Sequence, residues 1–113
     1  MKYSISEKYN SVIITFKGKA MGGPSAQKFH DDIKDLIEKG KTNVIGDLSK
    51  VSFMNSSGLG ILISALTSLR NAGGDLKLCG ASERIESLLI VTKLITVFNH
   101  FKTVDEAIEA YQD

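Results

Sequence analysis

The chain has 113 residues, enough for one domain with its own core but too few for two. With 42% hydrophobic and 24% charged residues it has the composition of a globular domain, and its net charge of +1 excludes binding of nucleic acid or an anionic membrane by bulk charge. A single cysteine, Cys79, excludes an internal disulfide and a cysteine-based zinc site, and His30 and His100 lie too far apart in sequence to predict a metal site. The longest apolar stretch, residues 58–66, is too short to span a bilayer, and no secretory signal follows Met1, so we expect a cytoplasmic, metal-free protein.

The first part of the chain predicts a β-hairpin followed by a helix. Alternating and β-branched apolar residues at 3–5 and 12–16 predict two strands, and the stretch 7–10 between them is short enough for a tight antiparallel connection. After the breaker cluster Met21-Gly22-Gly23-Pro24, apolar residues recur at helical spacing. We therefore expect a helix that begins at Pro24 and stops at Gly40.

The middle of the chain predicts a strand, a loop, a second helix and another strand. Residues 44–48 form a short apolar run typical of a buried strand, and we expect a loop from there to Asn55. Apolar residues at helical spacing from Leu59 to Leu69 then predict a helix that ends at Asn71-Ala72-Gly73-Gly74. The alternation over 75–79 predicts the next strand.

The last part of the chain predicts two more helices with a weak strand between them. Ser82 is a suitable N-cap for a helix that extends to Thr92, and a strand is expected within 96–101. Thr103 and Glu106 have the spacing of a capping box, which opens a final helix. The order ββαβαβαβα predicts an α/β domain with a mixed sheet of four to five strands and four helices. We expect the helices to cover mainly one face of the sheet and to leave the other thinly covered.

The segment between the third predicted strand and the second helix is the most unusual part of the sequence. It carries an amide and two hydroxyls, Asn55-Ser56-Ser57, at the carboxyl end of a strand, where α/β folds bind ligands and partners. Gly58 and Gly60 follow in the first turns of the helix, where each costs about 0.8–1.0 kcal/mol relative to alanine. Two such costs indicate a reason, such as the close approach of another backbone.

Two interpretations of this segment stay open on residue chemistry alone. In the first, Asn55 or Ser56 caps the helix, and the two glycines let it pack on the sheet. In the second, Ser56 is a phosphorylation site. A phosphoryl group there would add about −1.5 to −2 charges at a helix N-terminus, where free N–H groups and the helix dipole favour an anion. The new charge would then change what docks on this surface.

A resemblance to a known family is carried by this segment. The run Asp47-Leu48-Ser49-Lys50-Val51-Ser52-Phe53-Met54-Asn55-Ser56-Ser57-Gly58-Leu59-Gly60 resembles the signature of the STAS domain, as in bacterial anti-sigma-factor antagonists. Gly18, residues 71–76 and segments within 90–107 are similar to that family in order and spacing. The resemblance covers almost the whole chain, and it implies the STAS fold and a single domain over residues 1–113.

The resemblance also implies a regulatory function without catalysis. In this family the unphosphorylated antagonist binds an anti-sigma factor that is also a serine kinase of the histidine-kinase-like ATPase family, and the sigma factor is released. Phosphorylation of one serine abolishes the binding, and a serine phosphatase restores it. By position that serine is Ser56, with Ser57 as the second choice. The sequence contains no recognisable set of catalytic residues and no nucleotide-binding motif, so no cofactor is expected. The ATP used for phosphorylation would be bound by the kinase.

Two positions depart from the family pattern. The acidic residue before the serine is replaced by Asn55, and a second acidic position falls at about Met21. Both changes remove negative charge from the neighbourhood of Ser56. If the missing carboxylate helps to orient the serine or the metal of the kinase, Asn55→Asp should raise the rate of phosphorylation.

The predicted partner surface lies at the start of the second helix and on the preceding loop. Its residues are Met21, Gly22, Gly23, Ser25, Met54, Asn55, Ser56, Ser57, Gly58 and Leu59. For Met54 two roles stay open, an anchor for the partner or core packing beneath the loop. Neither direct nucleic-acid binding nor membrane insertion is expected. A second functional hypothesis is a STAS accessory or docking subunit of another complex, such as a lipid-transport ABC assembly or a stress-sensing particle, that works without phosphorylation.

Overall fold

The computed structural model describes residues 1–112 and begins with the predicted antiparallel hairpin. Strand β1, Lys2–Lys8, pairs with β2, Ser11–Ala20, so that Ile5 lies opposite Ile14. Tyr9 makes the tight turn between them with a left-handed φ of 57°. The hairpin prediction is therefore confirmed.

Four helices and three further strands follow in the predicted order. The later strands are β3 (Asn43–Met54), β4 (Asp75–Cys79) and β5 (His100–Phe101), and the helices are α1 (Ser25–Glu38), α2 (Ser56–Asn71), α3 (Glu83–Val91) and α4 (Val104–Gln112), with a short 3₁₀ turn at Leu94–Thr96. The strands lie side by side in the order β1-β2-β3-β4-β5, and every pair after the hairpin is parallel. The prediction of a mixed α/β sheet with four helices is confirmed. No helix within residues 1–112 combines the length and the apolar character needed to cross a membrane.

The third strand is longer than the sequence predicts. Instead of a loop after Leu48, β3 continues to Met54 and pairs with the end of β2, where Lys17 lies opposite Lys50 and Ala20 opposite Met54. Two irregularities in the register accommodate the polar residues of this extension. The loop prediction was wrong because pairing with a neighbouring strand outweighs the weak local preference of a polar segment.

The main core lies between one face of the sheet and helices α1, α2 and α3. Phe29, Ile33 and Leu36 form the buried stripe of α1, as the helical spacing predicts. All but one of the largest fully buried side chains, Ile45, belong to this layer, and they are Phe16, Phe29, Ile14, Leu48, Leu62, Leu69, Leu76, Leu78, Ile85, Leu89 and Val44. Burial of these side chains holds the start of α2 against the ends of β2 and β3.

The opposite face of the sheet is covered by α4 alone. Ala107 and Ile108 of this helix pack on Ile13, Ile45 and Cys79. Burial raises the pKa of the Cys79 thiol to about 12, so this cysteine behaves as a small apolar side chain. The expectation of a thinly covered second face is correct, since α4 is the one helix of the described residues that packs there.

The predicted N-caps of the last two helices are confirmed. Ser82 Oγ accepts a hydrogen bond of 3.3 Å from the backbone N–H of Ile85, and Thr103 Oγ1 accepts one of 3.2 Å from Glu106. Pro24 stands immediately before α1 and is not its first residue, and the positive φ of Gly40, 73°, closes the turn after the helix.

Candidate docking and modification site

Asn55 caps helix α2. Its backbone is extended, with φ −110° and ψ 179°, and its Oδ1 accepts a hydrogen bond of 2.9 Å from the backbone N–H of Gly58. Its carbonyl oxygen accepts the first helical bond, from Leu59 at 3.0 Å. Of the two capping residues that the sequence allows, the structure selects Asn55, and Ser56 becomes the first residue of the helix.

Ser56 and Ser57 are exposed at the helix N-terminus. Within residues 1–112 neither hydroxyl takes part in a hydrogen bond. Their backbone N–H groups precede the first helical bond and have no acceptor inside the helix. The first turn of α2 contains no acidic residue. An anion attached to either hydroxyl would therefore meet free N–H groups and the positive end of the helix dipole.

Gly58 gives the site its close packing. A Cβ atom at this position would lie 1.8 Å from the carbonyl oxygen of Ala20, so only glycine lets the end of β2 approach α2 this closely. Gly22, two residues after Ala20, lies against Ser57, whose Cβ would be 3.1 Å from a Cβ added at Gly22. The predicted close approach of a backbone is confirmed for Gly58. At Gly60 it is wrong, because nothing lies within 4 Å of an added Cβ.

Several residues of the predicted partner surface are buried. Met54 and Leu59 are 5% and 4% exposed and belong to the main core, and Gly58 is buried against Ala20. This corrects the predicted surface, because these residues position the segment and offer little area to a partner. For Met54 the structure selects core packing over an anchoring role.

The rest of the predicted surface stays accessible around the start of α2. Met21, Gly23, Ser56 and Ser57 are exposed, whereas Gly22, Ser25 and Asn55 are half-buried. Met21 is 36% exposed, which places an adaptable apolar side chain on the segment whose backbone packs against Gly58 and Ser57. These seven residues form what we call the serine surface.

Asp47 has a structural role at the point where β3 continues beyond Leu48. Its Oδ1 accepts a hydrogen bond of 3.0 Å from the backbone N–H of Ser49, where β3 departs from regular pairing. The described residues contain no group of three or more histidine, cysteine, aspartate or glutamate side chains able to hold a metal ion.

Two surface features beside the serine surface were not predicted from the sequence. A groove of about 270 Å³ separates the end of β3 from α3, and its lining residues are Phe53, Met54, Arg84, Ile85, Ser87, Leu88 and Val91. A shallow depression of about 380 Å³ is lined by Met1, Lys2, Lys17, Gly18, Lys19, Met21 and Gly22. The only sequence signal for the depression is a run of lysines around Gly18, whose positions on the sheet depend on strand register.

Comparison with known proteins agrees with the fold. The model of the STAS domain family matches residues 3–107. A Thermotoga neapolitana protein that is provisionally named an anti-sigma factor antagonist is 29% identical to this chain over 102 residues, which is 89% of this chain and 90% of that protein. This chain therefore has homologues among the anti-sigma factor antagonists.

Two solved structures share the whole architecture. A Thermotoga maritima protein, also provisionally named an anti-sigma factor antagonist, superposes with a TM-score of 0.86 at 25% identity and covers 98% of this chain and 95% of its own. The Bacillus cell fate determinant SpoIIAA in its phosphorylated form superposes with a TM-score of 0.75 at 21% identity, over 97% and 99% of the two chains. This second likeness concerns the fold.

Proposed function

Because this chain belongs to the STAS domain family, we propose that it is an anti-sigma factor antagonist that phosphorylation of Ser56 switches off. In the unphosphorylated form it binds an anti-sigma factor that is also a serine kinase of the histidine-kinase-like ATPase family, and the sigma factor is set free. A serine phosphatase returns the chain to its binding form. The protein acts by binding and carries out no reaction of its own.

The position of Ser56 is the observation that carries this proposal. Ser56 is exposed, its hydroxyl is unbonded within residues 1–112, and Asn55 supplies the cap, so the serine is not needed to hold the helix. A phosphoryl group would add about −1.5 to −2 charges beside free backbone N–H groups and the helix dipole. The fold can therefore accept the modification without losing a contact.

The same position explains how a phosphate would change binding. Met21 and Gly22 border the serines, and Gly22 lies against Ser57. A partner that covers this surface must remove water from whatever Ser56 carries. Removing water from a neutral hydroxyl costs far less than removing it from a dianion, which must lose its hydration or meet a complementary charge. Phosphorylation should therefore weaken the complex without unfolding either protein.

Reconstitution with the serine kinase encoded in the same genome tests the proposal. The wild-type chain, incubated with that kinase and ATP, should gain one phosphate on the Ser56 peptide, detected by mass spectrometry. Ser56→Ala should bind the kinase constitutively, Ser56→Asp should bind weakly, and Ser57→Ala is the matched control that should still be phosphorylated. A phosphate found on Ser57, or an unmodified chain with an active kinase, would overturn the assignment of Ser56.

Asn55→Asp tests whether the neutral cap slows the switch. Aspartate keeps the cap to the Gly58 N–H and restores a carboxylate next to Ser56. We expect a faster phosphorylation of Ser56 by the cognate kinase, measured as an initial rate with radiolabelled ATP. Asn55→Ser, which keeps a capping oxygen without charge, is the control. Equal rates for the aspartate and wild-type forms would mean that the cap does not set the rate.

A second candidate function is favoured by one observation, the neutral residue before the serine. With Asn55 in that position, the chain could act as a permanent docking subunit of a larger complex in which Ser56 is never phosphorylated. Affinity purification from the source cells, with mass spectrometry of the Ser56 peptide and of the bound proteins, separates the two functions. Partial phosphate with a bound serine kinase supports the switch, and an unmodified serine with a membrane-complex partner supports the docking subunit.

A further inference from the structure

Four lysines that are far apart in sequence come together on the sheet. Lys17 of β2 lies in register with Lys2 on one side and with Lys50 on the other. Lys19 stands two residues further along β2, and all four side chains are exposed. Neighbouring strands are about 4.8 Å apart, so the Cα atoms of Lys2 and Lys50 are separated by on the order of 10 Å. We call these four residues the lysine surface.

The lysine surface lies on the half of the sheet that no helix covers. Side chains alternate between the two faces of a strand. Each of the four lysines has a sequence neighbour that points into or packs against the main core, and these neighbours are Tyr3, Phe16, Ala20 and Val51. The lysines therefore point to the opposite face. There α4 packs only on the cluster around Ile13, Ile45 and Cys79.

The clustering costs stability and gains nothing within the fold. Like charges placed directly opposite each other on neighbouring strands are destabilising. Within residues 1–112 none of the four lysines forms a salt bridge, whereas five other lysines do, and these are Lys8, Lys28, Lys39, Lys41 and Lys77. The carboxylate of β3 on this face, Asp47, is half-buried and bonded to the backbone N–H of Ser49. The positive charge is therefore left for a ligand outside the chain.

The lysine surface is continuous with the serine surface. Three of its members, Lys2, Lys17 and Lys19, line the depression of about 380 Å³ together with Met21 and Gly22. Lys19 also lies in register with Phe53, three residues before Ser56. A partner that contacts Met21 and Ser56 is therefore within reach of the lysines.

We propose that the lysine surface binds a carboxylate-rich segment of the protein partner that docks on the serine surface. This inference deepens the proposed function, because it gives the chemistry of the partner's contact area. Four ammonium groups and the partly exposed Met21 fit a segment of aspartate and glutamate side chains with an apolar residue. A phosphate on Ser56 lies within about one Debye length of Lys19 and would repel the same carboxylates, which joins both surfaces in one switch.

Composition favours a protein segment over nucleic acid or lipid as the occupant. The depression that three of the lysines line contains no arginine for bidentate phosphate contacts and no aromatic side chain. The half-buried Phe53, in register with Lys19, is a single ring, whereas single-stranded nucleic acid binds by stacking successive bases on several. The chain as a whole has a net charge of only +1, so a long polyanion or an anionic bilayer would meet the acidic residues of the rest of the molecule as well. A short acidic segment meets the four lysines alone.

An NMR titration with a short polyglutamate peptide tests the proposal without the natural partner. The ¹H–¹⁵N spectrum of the wild-type chain is recorded at about 0.1 M ionic strength, where the Debye length is about 10 Å, so that charges elsewhere on the molecule are largely screened from the bound peptide. We expect the peptide to shift the amide signals around Lys17, Lys19 and Met21. In Lys17→Glu/Lys19→Glu the affinity should fall about tenfold or more, since two attractive pairs become repulsive. The matched control, Lys34→Glu/Lys102→Glu, has the same net charge change at two exposed lysines elsewhere and should bind like the wild type.

The possible outcomes separate this inference from the proposed function. Equal binding by the two double variants, or shifts spread over the whole surface, would overturn the lysine surface as a specific site. Binding of single-stranded oligothymidine or of phosphatidylserine vesicles at these residues, with none of the peptide, would assign the surface to nucleic acid or membrane and would also overturn the inference. Phosphorylation of Ser56 by the kinase tests the proposed function independently, since it does not require the peptide to bind.

Discussion

The two faces of the sheet are built for different purposes. One face is packed by α1, α2 and α3, and its contacts are so close that Gly58 has no room for a single methyl group. The other face is covered by one helix over a small cluster, and the rest of it carries exposed lysines. The packed face fixes the geometry of the α2 N-terminus. The other face, which we call the open face, supplies positive charge next to it. The closely packed α2 N-terminus and the exposed lysines adjoin at the end of β2.

Substitution of Gly58 by alanine should have the largest effect, because it attacks the packed face where it holds the site. The added Cβ would lie 1.8 Å from the carbonyl oxygen of Ala20, so the end of β2 and α2 must separate. We expect the free energy of unfolding to fall by about 3 kcal/mol, at the upper end of the usual cost of overpacking. Urea denaturation followed by circular dichroism measures the change.

Gly60→Ala is the matched control for this substitution. Gly60 is exposed in the same helix, and nothing lies within 4 Å of an added Cβ. Alanine is about 0.8–1.0 kcal/mol better than glycine inside a helix, so this variant should be more stable than the wild type. Equal destabilisation by both alanines would show that the helix, and not its contact with β2, sets the cost.

Tyr111→Phe tests how firmly the single helix is attached to the open face. The Tyr111 hydroxyl donates to backbone carbonyl oxygens on two strands, Val44 at 2.6 Å and Asp75 at 2.8 Å. Phenylalanine keeps the ring but leaves the carbonyl groups of the buried Val44 and the half-buried Asp75 without this donor, which should cost about 1–2 kcal/mol. Hydrogen exchange should become faster in α4 and stay slow in α2. Tyr9→Phe, at a side chain 75% exposed, should change neither measurement.

Most of the packed face could be predicted from the sequence. The spacing of Phe29, Ile33 and Leu36 predicts the buried stripe of α1. A hydroxyl or amide before an apolar run predicts a cap at Asn55 or Ser56 and another at Ser82. These features are local, so the sequence over one or two turns is enough to specify them. The position of Ser56 at the start of α2 follows from the same local signals.

The open face could not be predicted, because it depends on strand register. Lys2, Lys17 and Lys50 are neighbours only through the pairing of three strands, and an irregularity near Lys17 shifts the register by a residue. Such an irregularity leaves no clear signal in the sequence. The extension of β3 to Met54 was missed for the same reason, since its polar residues become a strand only beside β2.

Acidification should weaken the ion pairs and hydrogen bonds that Asp75 forms at the start of β4. Burial works to raise the pKa of this carboxyl, but hydrogen bonds from Arg70, Lys77 and the backbone of Leu76 outweigh it and hold the pKa below its usual value. A carboxyl whose pKa is lower in the folded state stabilises the fold above its unfolded pKa of about 3.9, and this contribution is lost as the pH falls through the lower folded pKa.

Asp75→Asn measures that contribution. At neutral pH we expect a loss of about 1 kcal/mol, small because the ion pairs are partly exposed to solvent. Below about pH 4 the difference between the variant and the wild type should shrink, because Asp75 is protonated first in the unfolded chain and, as the pH falls through its lower folded pKa, in the folded protein as well. Urea midpoints measured from neutral pH into the acid range give both values. A difference that stays constant over this range would mean that shape, and not charge, accounts for the role of Asp75.

Lys17→Glu should have the smallest effect on stability, and its sign separates folding from function on the open face. Glutamate at position 17 lies between Lys2 and Lys50, so the two repulsive lysine–lysine pairs become two attractive pairs. Cross-strand charge pairs of this kind are worth about 0.2–1 kcal/mol, so the variant should unfold at slightly higher urea concentration than the wild type, and the gain should shrink at high salt. Its affinity for polyglutamate should fall at the same time. Lys34→Glu on α1 is the control, and it should not reproduce this combination. We expect higher stability together with weaker binding where a protein keeps an unfavourable charge cluster because a partner uses it. A loss of stability in Lys17→Glu would mean that Lys17 has a structural role. The destabilisation assigned to the lysine cluster would then be wrong.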